Sequence, residues 1–181
     1  GATIENYEDD TSGQVHDQED IARFVYFGNM LLRSGGEIGY HGYNHQPLSP
    51  KSLDYKGVYS YNTWDESAMI SAMKELVRFN EQLFPNVEKS VYVPPSNVLS
   101  PEGRAVLTHE IPEVKTIAST YFPGDFAYAQ EFEWAADGMV EQPRVISGGI
   151  IDDFMQLAAF SELNLHFVNS HFIHPDDPLD P

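Results

Sequence analysis

Residues 37 to 48 read Glu37-Ile38-Gly39-Tyr40-His41-Gly42-Tyr43-Asn44-His45-Gln46-Pro47-Leu48. Behind the pair Gly35-Gly36, a short strand-like run delivers two histidines with three residues between them. That spacing lets both imidazoles face one point from a helical turn or a tight loop. Neutral imidazole is a preferred ligand for zinc and related divalent ions. Two histidines alone leave a site open: a third protein ligand is required, and a catalytic site also keeps a position for water.

Outward from this stretch, strand and helix signals alternate. Residues 2–5 read as a strand. Residues 17–33 place apolar side chains at 21, 24, 25, 31 and 32, near helical spacing, and Gly35-Gly36 stops the helix. Residues 37–40 form a short strand, and residues 46–62, rich in Pro, Ser, Tyr and Gly, read as a loop. Thr63-Trp64-Asp65-Glu66 has the form of a capping box. The helix behind it carries Met69, Met73, Leu76, Val77 and Phe84 on one stripe, which predicts core packing. Residues 90–93 are a strand ended by Pro94-Pro95, and Ser100-Pro101 opens a helix that stops before Pro112. Residues 114–119 are a strand, and 121–143 read mostly as loop. A strand at 144–147, a helix near 152–163 and a strand at 165–171 finish the chain. Asp152-Asp153 reads as a helix cap.

This order predicts an α/β fold with a parallel sheet, open or closed into a barrel, and a single domain over residues 1–181. Functional groups then belong at the carboxyl ends of the strands. His41, Pro94-Pro95 and His171 each fall at such an end.

The bulk composition narrows the function. The chain has 181 residues with 41% hydrophobic and 13% aromatic content, enough for a real core. Cysteine is absent, which excludes disulfides, thiolate metal sites and cysteine nucleophiles. The net charge of -18 argues against nucleic acid, whose phosphates need clustered Lys and Arg. No apolar run reaches the roughly 18 residues of a membrane span. The chain starts on Gly1 rather than Met, which reads as a piece of a longer protein.

The run Gly36 to His45 resembles the second motif of the NodB-type polysaccharide deacetylases, carbohydrate esterase family 4. The helix from Thr63 and the strand ending Val93-Pro94-Pro95 follow in the order of that family's third motif. Phe167-Val168-Asn169-Ser170-His171 looks like its last motif. The resemblance covers residues 35–120 and, more loosely, the end of the chain. It implies an irregular (β/α) barrel, incomplete here at its N-terminus, and a divalent metal, zinc first, held by two histidines and an aspartate. It implies removal of acetyl groups from a polysaccharide, in a parent that works outside the cytoplasm. Carried over, His41 and His45 are the metal ligands and His171 the general acid, with His174 as the alternative. Tyr43, Pro94 and Pro95 would line the glycan.

The chain departs from that pattern in three places. The first motif, an aspartate pair supplying the base and the third ligand, would lie upstream of Ala2. Asp9 and Asp10 are the only local substitute. Val93 stands where the family has an arginine that orients the base, and Gly42 replaces a Ser or Thr. His174-Pro175-Asp176-Asp177 resembles the metal motif of PIG-L-type deacetylases, but there the motif follows a first strand and is followed by Glu, whereas Pro178 follows here. Two alternatives stand beside the deacetylase. One is a non-catalytic carbohydrate-binding domain on the same fold. The other is a glycoside hydrolase using a carboxylate pair from Asp125, Glu131 and Glu133. Trp64, Trp134 and Tyr121 serve either core packing or sugar stacking. His16, His109 and His166 have no partner in the sequence pattern.

Overall fold

The computed structural model of the chain describes residues 18–50, 53–55, 59–61, 64–118, 130–149 and 152–173. Helix α1 spans Gln18–Arg33. A hairpin follows, β1 (Leu53–Tyr55) antiparallel to β2 (Tyr59–Tyr61). Then come α2 (Glu66–Leu83), β3 (Val91–Tyr92), α3 (Pro101–Glu110) and β4 (Thr116–Ala118). A second hairpin joins β5 (Glu133–Trp134) to β6 (Val140–Gln142). Strand β7 (Ile146–Ser147), helix α4 (Asp153–His166) and β8 (His171–Phe172) complete the order.

The expected parallel sheet is present as a four-stranded unit ordered β3-β4-β6-β5, with only β5 antiparallel. Tyr40 extends it by one parallel bridge to Tyr92, its amide donating to Val91 and its carbonyl accepting from Val93, both at 2.8 Å. Strands β7 and β8 pair in parallel as a sheet of their own. The described strands thus form three sheets, and ring closure is not among their pairings.

One face of the main sheet is sealed. Tyr40, Tyr92 and Ile117 lie in one cross-strand row and are buried against Met69, Ala72, Met73 and Leu76 of α2 and Val106 and Leu107 of α3. The methionine stripe of α2 is core filler, as its spacing predicts. Helix α3 approaches the chain before it at Gly103, where an added Cβ would stand 2.0 Å from the Leu48 carbonyl oxygen. Glu141, in the same row as Ile117, is buried and satisfied by the guanidinium of Arg104 and the amide of Gln130. Arg104 also holds Asp137 with two bonds, at 2.5 and 2.9 Å. The hydrogen bond from Arg104 is the main reason the Asp137 carboxyl sits below its usual range.

Lys89 is buried to 1% exposure. Its ammonium donates to Glu81 Oε1 at 2.8 Å, to Val87 O at 2.9 Å and to Phe84 O at 3.2 Å. It thereby closes the carboxyl end of α2, where orphan carbonyls and the helix dipole favour a cation. Because Glu81 is half exposed, the ion pair itself contributes little. The two carbonyls carry the effect. Lys89→Met keeps the stem and removes the donor, so it should cost about 2 kcal/mol, read as a lower urea midpoint at unchanged slope. A midpoint equal to the wild type would show that the buried ammonium is dispensable.

Four local expectations are corrected. Residues 46–62 contain the β1–β2 hairpin, because alternating Leu53, Tyr55, Tyr59 and Tyr61 favour extended pairing over the loop signal. Residues 121–143 contain β5 and β6, joined across Asp137-Gly138, a hairpin dipeptide. The cap of α2 is Asp65 rather than Thr63: its carboxylate accepts from the Ala68 amide at 2.8 Å and from Ser67. Helix α4 runs on to His166, ending with Phe167 at φ 60, so His171 opens a strand instead of closing one. The caps predicted at Ser100 and Asp152 are as expected, accepting from Gly103 and Met155.

Candidate functional site

His41 leaves the sheet edge directly after Tyr40, and its ring is fixed by its neighbour strand. Its Nδ1 lies 2.7 Å from the Val93 carbonyl. A carbonyl only accepts, so Nδ1 donates, and in the neutral ring Nε2 carries the lone pair. Metal-ligating histidines are commonly oriented by such a bond from the second nitrogen.

The chain then folds back sharply. Gly42 has φ 81, and Asn44 and His45 both adopt positive φ, at 50 and 52. Asn and His are among the residues that tolerate this region best. Gly42 also has no room for a side chain, since a Cβ would stand 2.4 Å from Pro95 Cγ. This contact accounts for glycine where a Ser or Thr was expected by resemblance. The turn returns His45 to His41: the ring centroids are 5.0 Å apart with planes at 75°.

That separation fits a shared ion. Two imidazoles on one tetrahedral zinc, with Zn–N bonds of about 2.0–2.1 Å, have centroids about 5 Å apart. Both rings are half-buried at the carboxyl edge of the sheet. Among the described residues no group of three His, Asp or Glu forms a metal site. Asp9, Asp10, His174 and Tyr121 lie outside the described residues, as do His16 and Asp125.

The opposing loop is built by Pro94 and Pro95, both buried, so they shape the wall more than they present a surface. Ser96 and Asn97 follow at positive φ, 52 and 60. Tyr43 packs against the core cluster. Trp64 does the same and donates from Nε1 to Pro47 O at 3.0 Å. His171 sits in the β7–β8 sheet with Nε2 2.8 Å from the Gly148 carbonyl. By the same logic Nε2 donates, and Nδ1 is its proton-accepting nitrogen. His109 pairs with Glu110 and His166 with Glu162, each at 2.9 Å.

The structure therefore brings together His41, His45 and the 93–97 loop. The sequence pattern missed the Val93 carbonyl, a backbone group that side-chain patterns cannot reveal.

An α/β chain with a histidine pair at the sheet's carboxyl rim matches one family model over its full length. The chain belongs to the family described as uncharacterised protein conserved in bacteria (DUF2194), which matches residues 1–181. Among solved structures it is similar to a provisionally assigned polysaccharide deacetylase from Mycobacterium smegmatis, at 17% identity and a TM-score of 0.47. The match covers 84% of this chain and 53% of that one, so the chain spans about half of its length. Comparison with curated proteins gives no match.

Proposed function

We propose that this chain is part of a metal-dependent deacetylase that removes acetyl groups from a glycan, on an irregular (β/α) barrel. The observation that carries the reading is the His41–His45 pair, 5.0 Å apart, with His41 set by the Val93 carbonyl. In this reading both histidines hold a divalent ion, zinc first, and Asp9 or Asp10 supplies a carboxylate. Such an ion activates water and polarises an acyl carbonyl. The 93–97 loop and Tyr43 bound the sugar beside the pair. His171, or His174 in its place, gives a proton to the departing amine or alkoxide as the acyl bond breaks. For His171 that proton leaves from Nδ1, because Nε2 is committed to Gly148.

A non-catalytic glycan-binding domain is the second reading. It is favoured by Val93, an apolar side chain where the resemblance calls for an arginine. Two measurements separate the readings. Elemental analysis after purification with zinc reports the ion, and acetate release from acetylated chito-oligosaccharides or acetylxylan reports catalysis. Stoichiometric metal with acetate release supports the deacetylase; glycan binding without release supports the second reading. Absence of bound metal overturns the first.

A further inference from the structure

Helix α4 is turned the wrong way round for a surface helix. An amphipathic helix sets its apolar stripe on its own domain and its polar side in water. In α4 the side that meets β7 and the rest of the chain carries Met155, Ala158, Ala159 and Glu162, all partly buried. Its carboxyl end is pinned there by His166, which stacks on Phe132 with ring centroids 4.8 Å apart and has Nδ1 2.9 Å from Glu162 Oε2. The outward side carries Phe154, Leu157, Phe160 and Leu163, exposed by 74, 65, 64 and 46%. With Leu165 these side chains leave roughly 600 Å² of apolar surface in water, the upper end of what a monomer shows in one patch. It is also most of the about 800 Å² that one partner gives to an interface of standard size.

The order of the residues says what fits this side. Asp153, Leu157, Phe160 and Asn164 follow at intervals of four, three and four, the spacing of a seam between paired helices. The pattern is a palindrome about the midpoint of Ala158 and Ala159. In an antiparallel pair with a two-fold axis at that point, positions equally far from it share a layer. Leu157 then meets the partner's Phe160, and Asp153 meets the partner's Asn164. The flanking layers agree in class, Gln156 with Ser161 and Phe154 with Leu163. The Asn164 amide gives one N–H to Phe160 O at 2.6 Å and has a second, which the partner's Asp153 carboxylate can accept. A parallel pair would set Asp153 against Asp153, which a chain of net charge -18 resists. The same charge, with no Lys or Arg along α4, argues against an anionic lipid surface.

We propose that α4 is the seam of an antiparallel homodimer of this chain, with Leu157 and Phe160 at its centre and Asp153–Asn164 contacts at both ends. The inference depends on neither the metal nor the glycan.

Sedimentation velocity of the intact chain tests it. The chain should pass from monomer to dimer with a Kd of about 10 µM, as befits an interface below standard size. Leu157→Glu and Phe160→Glu each put a carboxylate in the apolar centre. Each should weaken pairing about a hundredfold and leave the far-UV circular dichroism unchanged. Asn164→Asp sets two carboxylates face to face and should weaken pairing about tenfold, and adding Asp153→Asn should restore it. The chain has no cysteine, so single cysteines report cleanly. Leu157→Cys and Phe160→Cys chains, mixed under mild oxidation, should cross-link, whereas Glu102→Cys, exposed on α3, should not. A chain that stays monomeric at about 200 µM overturns the seam, including the case where its own remaining residues cover α4. A dimer that survives both glutamate variants overturns it as well. Should those variants lose their circular dichroism signal, the charge exchange decides: restored pairing supports the seam, and unrestored pairing overturns it.

Discussion

Exchanging His41 and His45 together for alanine should reduce zinc affinity by about four orders of magnitude. Structural zinc sites with four ligands bind with about 10–16 kcal/mol, so each ligand accounts for about 3 kcal/mol, or about a hundredfold. The ring centroids lie 5.0 Å apart, a separation compatible with a common ion, and the His41 ring is oriented by the Val93 carbonyl. Each single variant should lose about a hundredfold, and the double variant should approach the product of the two. Competition against a chromogenic chelator measures the affinity, and the visible spectrum of the cobalt form reports the ligand field. His109→Ala, an exposed ring paired with Glu110, is the control and should bind as the wild type does. A double variant that retains stoichiometric, tight metal would remove the site from this part of the molecule.

Gly103→Ala should destabilise the chain by about 3 kcal/mol, against the usual trend of a helical Gly→Ala change. On propensity alone alanine in α3 would gain about 1 kcal/mol. Here the new methyl would meet the Leu48 carbonyl oxygen at 2.0 Å and its carbon at 2.6 Å. Backbone cannot step aside as a side-chain tip does, so α3 or the 47–50 segment must move. That carbonyl also accepts from the Ser100 amide at 3.0 Å, and Leu48 is bridged to Leu99. The displacement therefore disturbs the cap region of α3 as well as the contact. Thermal unfolding should show a loss of several degrees, about 2–4 °C per kcal/mol at this size. A variant that melts at or above the wild type would refute the close approach.

These positions show which parts of the molecule could be read in advance. Helix α2 was legible because its apolar stripe agrees with the packing, and α3 because Ser100-Pro101 opens it as expected. Prolines 94 and 95 end β3 where the missing amides must end it. The histidine spacing was legible too, although the turn joining the rings depends on positive φ at Gly42, Asn44 and His45. The strands of two or three residues were not. Glu133–Trp134 and Val140–Gln142 are too short for an alternating pattern to rise above noise, and only Asp137-Gly138 hinted at them. The place of His171 depended on how far α4 runs, which a continuous run of helix formers up to His166 does not reveal. Gly103 gave no signal at all, because its role lies in a backbone 55 positions away.

Helix α4 has no fully buried residue, although Phe154, Leu157, Phe160, Leu163 and Leu165 are all apolar. Its amides are therefore guarded by little beyond the helix's own ladder, while those of α2, α3 and the sheet are guarded by the shared core. The unpaired molecule should consequently show two tiers of persistence. Openings that release α4 should be shallow excursions in which deuterium enters and proteases cut while the histidine rim stands; hydrogen exchange in α4 as slow as in α2 would refute this.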